Sequence, residues 1–79
     1  EELDKELLKE FHDKIYEDYK GLVFGDRNVL FKMKELWFYI MPMFTYNEKY
    51  AKKIRKSERL HDYDEAVLNL FREHDILEN

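Results

Sequence analysis

Six cations fall within eleven residues, Lys49, Lys52, Lys53, Arg55, Lys56 and Arg59, and only Glu48 and Glu58 stand among or beside them. At about 100° per residue, five of the six share about 120° of helical arc and Arg55 lies just beyond, opposite Tyr50, Ala51 and Ile54. The chemistry open to such a face is polyanion binding: it neutralises phosphates and releases their counterions, so affinity falls steeply with salt. Contacts of this kind position a ligand without reading its sequence. Lys34 and Arg27 extend the face if a preceding helix packs alongside, and Tyr46 and Tyr50 are nearby rings able to stack on unpaired bases. The competing reading is a solvated helix face, although ordinary surface helices mix both signs.

The wider charge pattern agrees. Residues 27–59 hold nine Lys/Arg against three Asp/Glu, a balance of +6, whereas residues 1–26 and 60–79 each come to −5. The net charge of −4 therefore hides a dipolar molecule, and fields act over a Debye length of about 8–10 Å rather than over whole molecules.

Other chemistry is poorly supplied. His12, His61 and His74 have no spacing that sets two ligands on one helical face, so no metal site is expected. His74, on an apolar stripe, reads as a half-buried structural histidine. Asp62, Asp64 and Glu65 lack the glycine and distal glutamate of a calcium loop, and Asp62 with Glu65 instead matches a capping box. The chain has no cysteine and one serine, Ser57, with no glycine-rich phosphate loop or nucleophile elbow. No catalytic residue is assigned.

The elements that must position the basic face are helical. With two Gly and one Pro in 79 residues, the punctuation is sparse and the segments long. Asp4 caps a first helix with Leu7, Leu8, Phe11, Ile15, Tyr19 and Leu22 at 3-and-4 spacing, ended near Gly21 and Gly25. Asp26 or Asn28 caps a second, running to about Met41 before Pro42. It is apolar almost all round, with Trp37 in the core and Phe31 and Phe38 on the far side. A third, about residues 48–56, is capped by Asn47. The fourth starts at Asp62 and continues through Tyr63, Ala66, Val67, Leu70 and Phe71. The expectation is an all-α fold, a compact bundle of about four helices in a single domain spanning 1–79. Thirteen aromatic residues supply the apolar area that so short a chain needs. No apolar run approaches the roughly 20 residues of a membrane helix, so a soluble domain without membrane partners is expected, and the lack of cysteine fits a reducing, cytoplasmic compartment.

The stretch Gly25-Asp-Arg-Asn-Val-Leu-Phe-Lys-Met-Lys-Glu-Leu-Trp-Phe-Tyr39, followed by Lys52-Lys53-Ile-Arg-Lys56, resembles the C-terminal helical domain of bacterial tRNA-dihydrouridine synthases over roughly residues 11–70. The family's familiar pattern sets consecutive basic residues, often Arg-Lys-His, a few positions before a Trp-Tyr pair and a Lys-Gly. Here Lys32 and Lys34 precede Trp37 and Tyr39 in the same order, with different spacing and no histidine. By matching position the resemblance adds Arg27, Lys32 and Lys34 to the RNA-binding set. It implies a tRNA-binding module whose parent carries an N-terminal flavin-binding (β/α)₈ barrel, an oxidoreductase reducing a tRNA uridine with FMN, a nicotinamide cofactor and a cysteine acid. None of the barrel's cofactor ligands has a counterpart here, so no cofactor is expected in this fragment. An opening Glu already inside a helical pattern suggests a domain excised from that longer protein. The alternative is a helical protein-interaction or structural domain that does not bind RNA.

Overall fold

The computed structural model describes residues 4–77. Four helices follow in chain order, α1 (Lys5–Leu22), α2 (Asp26–Ile40), α3 (Glu48–Lys56) and α4 (Leu60–Glu73), with a single 3₁₀ turn, Met41–Met43, extending α2. The architecture is an all-α bundle, about 37 × 27 × 18 Å. Among the described residues, no helix is long and apolar enough to cross a membrane.

Asp4 caps α1 as expected, its carboxylate accepting from the Leu7 amide at 2.8 Å. The other starts differ from the sequence reading. Gly25 occupies the cap of α2 with φ +89°, a backbone region that L side chains avoid, while Asn28 donates back to the Phe24 carbonyl at 2.7 Å. The cap of α4 is Arg59 rather than Asp62, which lies inside the first turn. Three more residues, Leu60, His61 and Asp62, thus enter α4 than a capping box at Asp62 allows. There the acidic side chain faces the helix dipole instead of an orphan amide.

The apolar face of α1 is also rotated from expectation. Leu8, His12 and Tyr16 are its buried residues, while Leu7, Phe11 and Leu22 are exposed. Burying His12 in place of Phe11 requires partners for both ring nitrogens, and they are present. Its Nε2 lies 2.7 Å from the Tyr63 hydroxyl, which also accepts from Trp37 Nε1 at 2.7 Å. Because an indole only donates, the Tyr63 proton is directed to His12 Nε2, leaving Nδ1–H to donate to Asp13 Oδ1 at 3.0 Å. Lys9 closes the chain on the other oxygen of Asp13 at 2.9 Å. Burial, outweighing the Asp13 hydrogen bond, holds the His12 imidazole below its ordinary 6.5. Burial likewise pushes the Tyr63 hydroxyl far above the usual tyrosine range.

Around this polar thread, Met33, Leu70, Trp37, Phe44 and Phe71 form the centre of the core, and Phe44 meets Phe71 edge-on at 5.2 Å. The tail after α4 is stitched down. Thr45 N–H donates to Asp75 O at 2.9 Å, Leu77 N–H to Met43 O at 2.6 Å, and Lys5 to His74 O at 3.1 Å.

Candidate nucleic-acid interface

The turn that launches α3 is set by Pro42. It ends α2, and the carbonyls around it lose their helical donors. Asn47 supplies the replacement, its Nδ2 donating to Met41 O and Phe44 O, each at 3.1 Å. This differs from the expected side-chain cap: Asn47 is at the cap position but binds the preceding turn, with no side-chain bond to the α3 amides. Tyr46, immediately before it, takes a left-handed backbone with φ 48°.

Tyr50 and Ile54 anchor the inner face of α3, which leaves its basic residues outside. At its C-terminus Ser57 is buried. Its hydroxyl donates to Lys53 O at 2.8 Å, and its carbonyl accepts from the Lys34 ammonium at 2.6 Å. Lys34 thereby ties α2 to the end of α3. It is half-buried and already engaged, and so contributes charge beside the patch rather than a free ammonium.

Lys49, Lys52, Lys53 and Lys56, with Ser57 and Asp62, line one open concavity of about 470 Å³. The ammoniums of Lys49 and Lys53 stand 5.2 and 5.8 Å from the Tyr50 ring centroid, within cation–π range. Arg55 lines a separate groove between α2 and α3. Arg59 is off the α3 wheel altogether, since α3 stops at Lys56 and Arg59 adopts extended backbone at the cap of α4. The single face inferred from a wheel carried through to residue 59 therefore divides: four lysines share one concavity, and Arg55, beside Lys52, lines the adjoining groove.

Ion pairing separates α3 from α1. Every lysine of α1 is paired: Lys5 with Asp75, Lys9 with Asp13, Lys14 with Asp18 and Lys20 with Glu17, at 2.9–3.7 Å. Lys32 on α2 lies 3.9 Å from Glu35. Among the described residues, none of the six cations from Lys49 to Arg59 has a carboxylate within ion-pair distance. Arg27 is exposed on the first turn of α2, on the same side as Lys34 and about 10 Å from it along the axis.

Of the two candidate stacking rings, Tyr50 is only 2% exposed and unavailable, whereas Tyr46 is 87% exposed. The sequence reading also left Tyr39 unplaced and did not single out the α2–α3 groove. Tyr39 and Phe38 form an edge-to-face pair at 5.4 Å on the outside of α2, 74% and 77% exposed. Phe38 walls the groove with Trp37, Pro42, Asn47, Ile54 and Arg55. Its one sequence signal was the Pro42 break, which forces α3 back across the end of α2.

Comparison with protein-family models, with curated proteins and with solved structures finds no match to this chain.

Proposed function

We propose that this chain is an RNA-binding module that holds a folded tRNA through its phosphates. The observation that carries the reading is the set of unpaired cations on and just after α3, four of them lysines around one concavity, in a molecule that pairs every lysine of α1. Unpaired ammoniums bring their full charge to a phosphate, whereas a paired lysine must first give up a carboxylate. Resemblance to the C-terminal helical domain of tRNA-dihydrouridine synthases supplies the finer form of the proposal. In it, the module positions tRNA in the cytoplasm so that a flipped uridine reaches the flavin of a catalytic barrel in the parent chain. FMN, the nicotinamide cofactor and reduction of uridine to dihydrouridine belong to that barrel, and this fragment contributes binding alone.

The test compares two double charge reversals with the same net effect. Lys52→Glu with Lys56→Glu is expected to weaken binding of labelled tRNA at 50 mM salt by about 10- to 100-fold, while Lys14→Glu with Lys20→Glu changes it by less than about threefold. Equal losses in both would reduce the effect to overall charge, and no loss in either would make the α3 face a bystander.

A second reading rests on the exposed aromatic side of α2, where Phe31, Phe38 and Tyr39 face outward. On it, the domain docks another protein surface and the lysines only keep it solvated. Absence of salt-dependent tRNA binding by the wild-type chain would favour this reading.

A further inference from the structure

The groove between α2 and α3 differs in chemistry from the neighbouring lysine concavity on α3. It encloses about 310 Å³, at the lower end of the range for small-molecule sites. Its walls are apolar, formed by Trp37, Phe38, Pro42 and Ile54, and its polar groups are few: Lys34, Asn47 and Arg55. Phe38, Arg55 and Asn47 each suit one part of a nucleotide, while Lys34 is held by the Ser57 carbonyl. The Phe38 ring, largely exposed, presents a stacking surface at the mouth. Arg55 has a planar guanidinium that stacks on a base or pairs with a phosphate, and it has no carboxylate partner among the described residues. The Asn47 amide is fixed by two bonds from its nitrogen to Met41 O and Phe44 O, which leaves Oδ1 to accept from a base N–H.

The groove also adjoins the proposed phosphate face. Lys52 and Arg55 are three residues apart on α3 and so neighbours on its surface, one lining the lysine concavity and the other the groove. A strand held by its phosphates along α3 therefore has a pocket for a base within reach. Positive charge at the rim and an apolar, aromatic interior match a nucleotide, charged on one side and flat and stackable on the other.

We propose that the α2–α3 groove receives an unpaired nucleobase, stacked against Phe38 and Arg55 and hydrogen-bonded to Asn47, while the neighbouring phosphates lie on the α3 lysines. This rests on the RNA-binding reading, and its test separates the two. Affinity is measured by fluorescence anisotropy for a labelled eight-nucleotide single-stranded RNA and for an abasic strand with the same number of phosphates, using the wild-type chain and Phe38→Ala. Because Phe38 is exposed, circular dichroism should show the variant folded. The intact strand should bind the wild type about 5- to 150-fold more tightly than the abasic strand. Phe38→Ala should lose most of that preference while keeping its affinity for the abasic strand. Equal, salt-dependent binding of both strands by the wild type would overturn the base site and leave the phosphate face standing. A preference that survives in Phe38→Ala would place the bases elsewhere and also overturn it. Binding of neither strand would overturn the base site, while the tRNA titration decides the phosphate face separately.

Discussion

Tyr63→Phe is the most informative perturbation of the core, because one oxygen there serves two otherwise unsatisfied groups. The Tyr63 hydroxyl accepts from Trp37 Nε1 and donates to His12 Nε2, both at 2.7 Å, and all three side chains are buried. Removing it changes little volume but leaves an indole N–H and an imidazole nitrogen buried without partners. A buried polar group deprived of its partner costs about 1–3 kcal/mol. Two that share one network are not additive, so the expected loss is about 2–4 kcal/mol. That is a large part of the stability of a domain this size. It corresponds to a fall in melting temperature of roughly 8–30 °C. Urea unfolding followed by the fluorescence of Trp37, the chain's single tryptophan, reads the change directly. Tyr16→Phe is the control: its hydroxyl donates to Asp64 at 2.5 Å, but Asp64 is exposed and water replaces the lost donor, so about 1 kcal/mol is expected. A Tyr63→Phe loss below about 0.5 kcal/mol, or one no larger than that of Tyr16→Phe, would refute the linked Trp37–Tyr63–His12 arrangement.

Three further outcomes follow from the same structure. His12 is held below its unfolded value of 6.5 by burial, so the unfolded chain binds the extra proton first; stability should be flat just above neutral pH and decline as pH falls below about 6.5, and unchanged urea midpoints between pH 7 and pH 5 would contradict this. The two glycines should respond with opposite signs. Gly21→Ala, in α1 with open space around a new Cβ, should gain about 0.5–1 kcal/mol, whereas Gly25→Ala, at φ +89°, should lose more than about 1 kcal/mol; thermal melts showing the same sign for both would be inconsistent. Leu70→Ala, at a fully buried position, should cost about 2–5 kcal/mol by denaturant titration, and a loss under 1 kcal/mol would mean that the core is looser than described.

Element type was legible throughout, because 3.6-residue periodicity and a single proline leave little room for strands. The range of α3, about residues 48–56, and the Asp4 cap were likewise readable. What the pattern hid was the choice between adjacent side chains of comparable burial potential. Phe11 outranks His12 on any hydrophobic scale, yet His12 takes the interior because Tyr63, 51 residues away, satisfies it. A partner at that separation leaves no local trace. The basic face was legible as charge but not as geometry. A wheel assumes that the helix continues, and Arg59 left it when α3 ended at Lys56. Lys34 read as another surface cation, and only the packing of α2 beside Ser57 shows its ammonium committed to a carbonyl.

The measurement that tests the central claim most directly is the salt dependence of tRNA binding, with wild type set against Lys52→Gln/Lys53→Gln/Lys56→Gln. If the four lysines of the concavity each neutralise one phosphate, the logarithm of the affinity should fall with the logarithm of salt at a slope of about −3 to −4. Replacing three of them should flatten that slope by about 2 to 3. A slope near zero for the wild type, or a wild-type slope retained in the triple variant, would contradict the assignment of α3 as the phosphate-binding face.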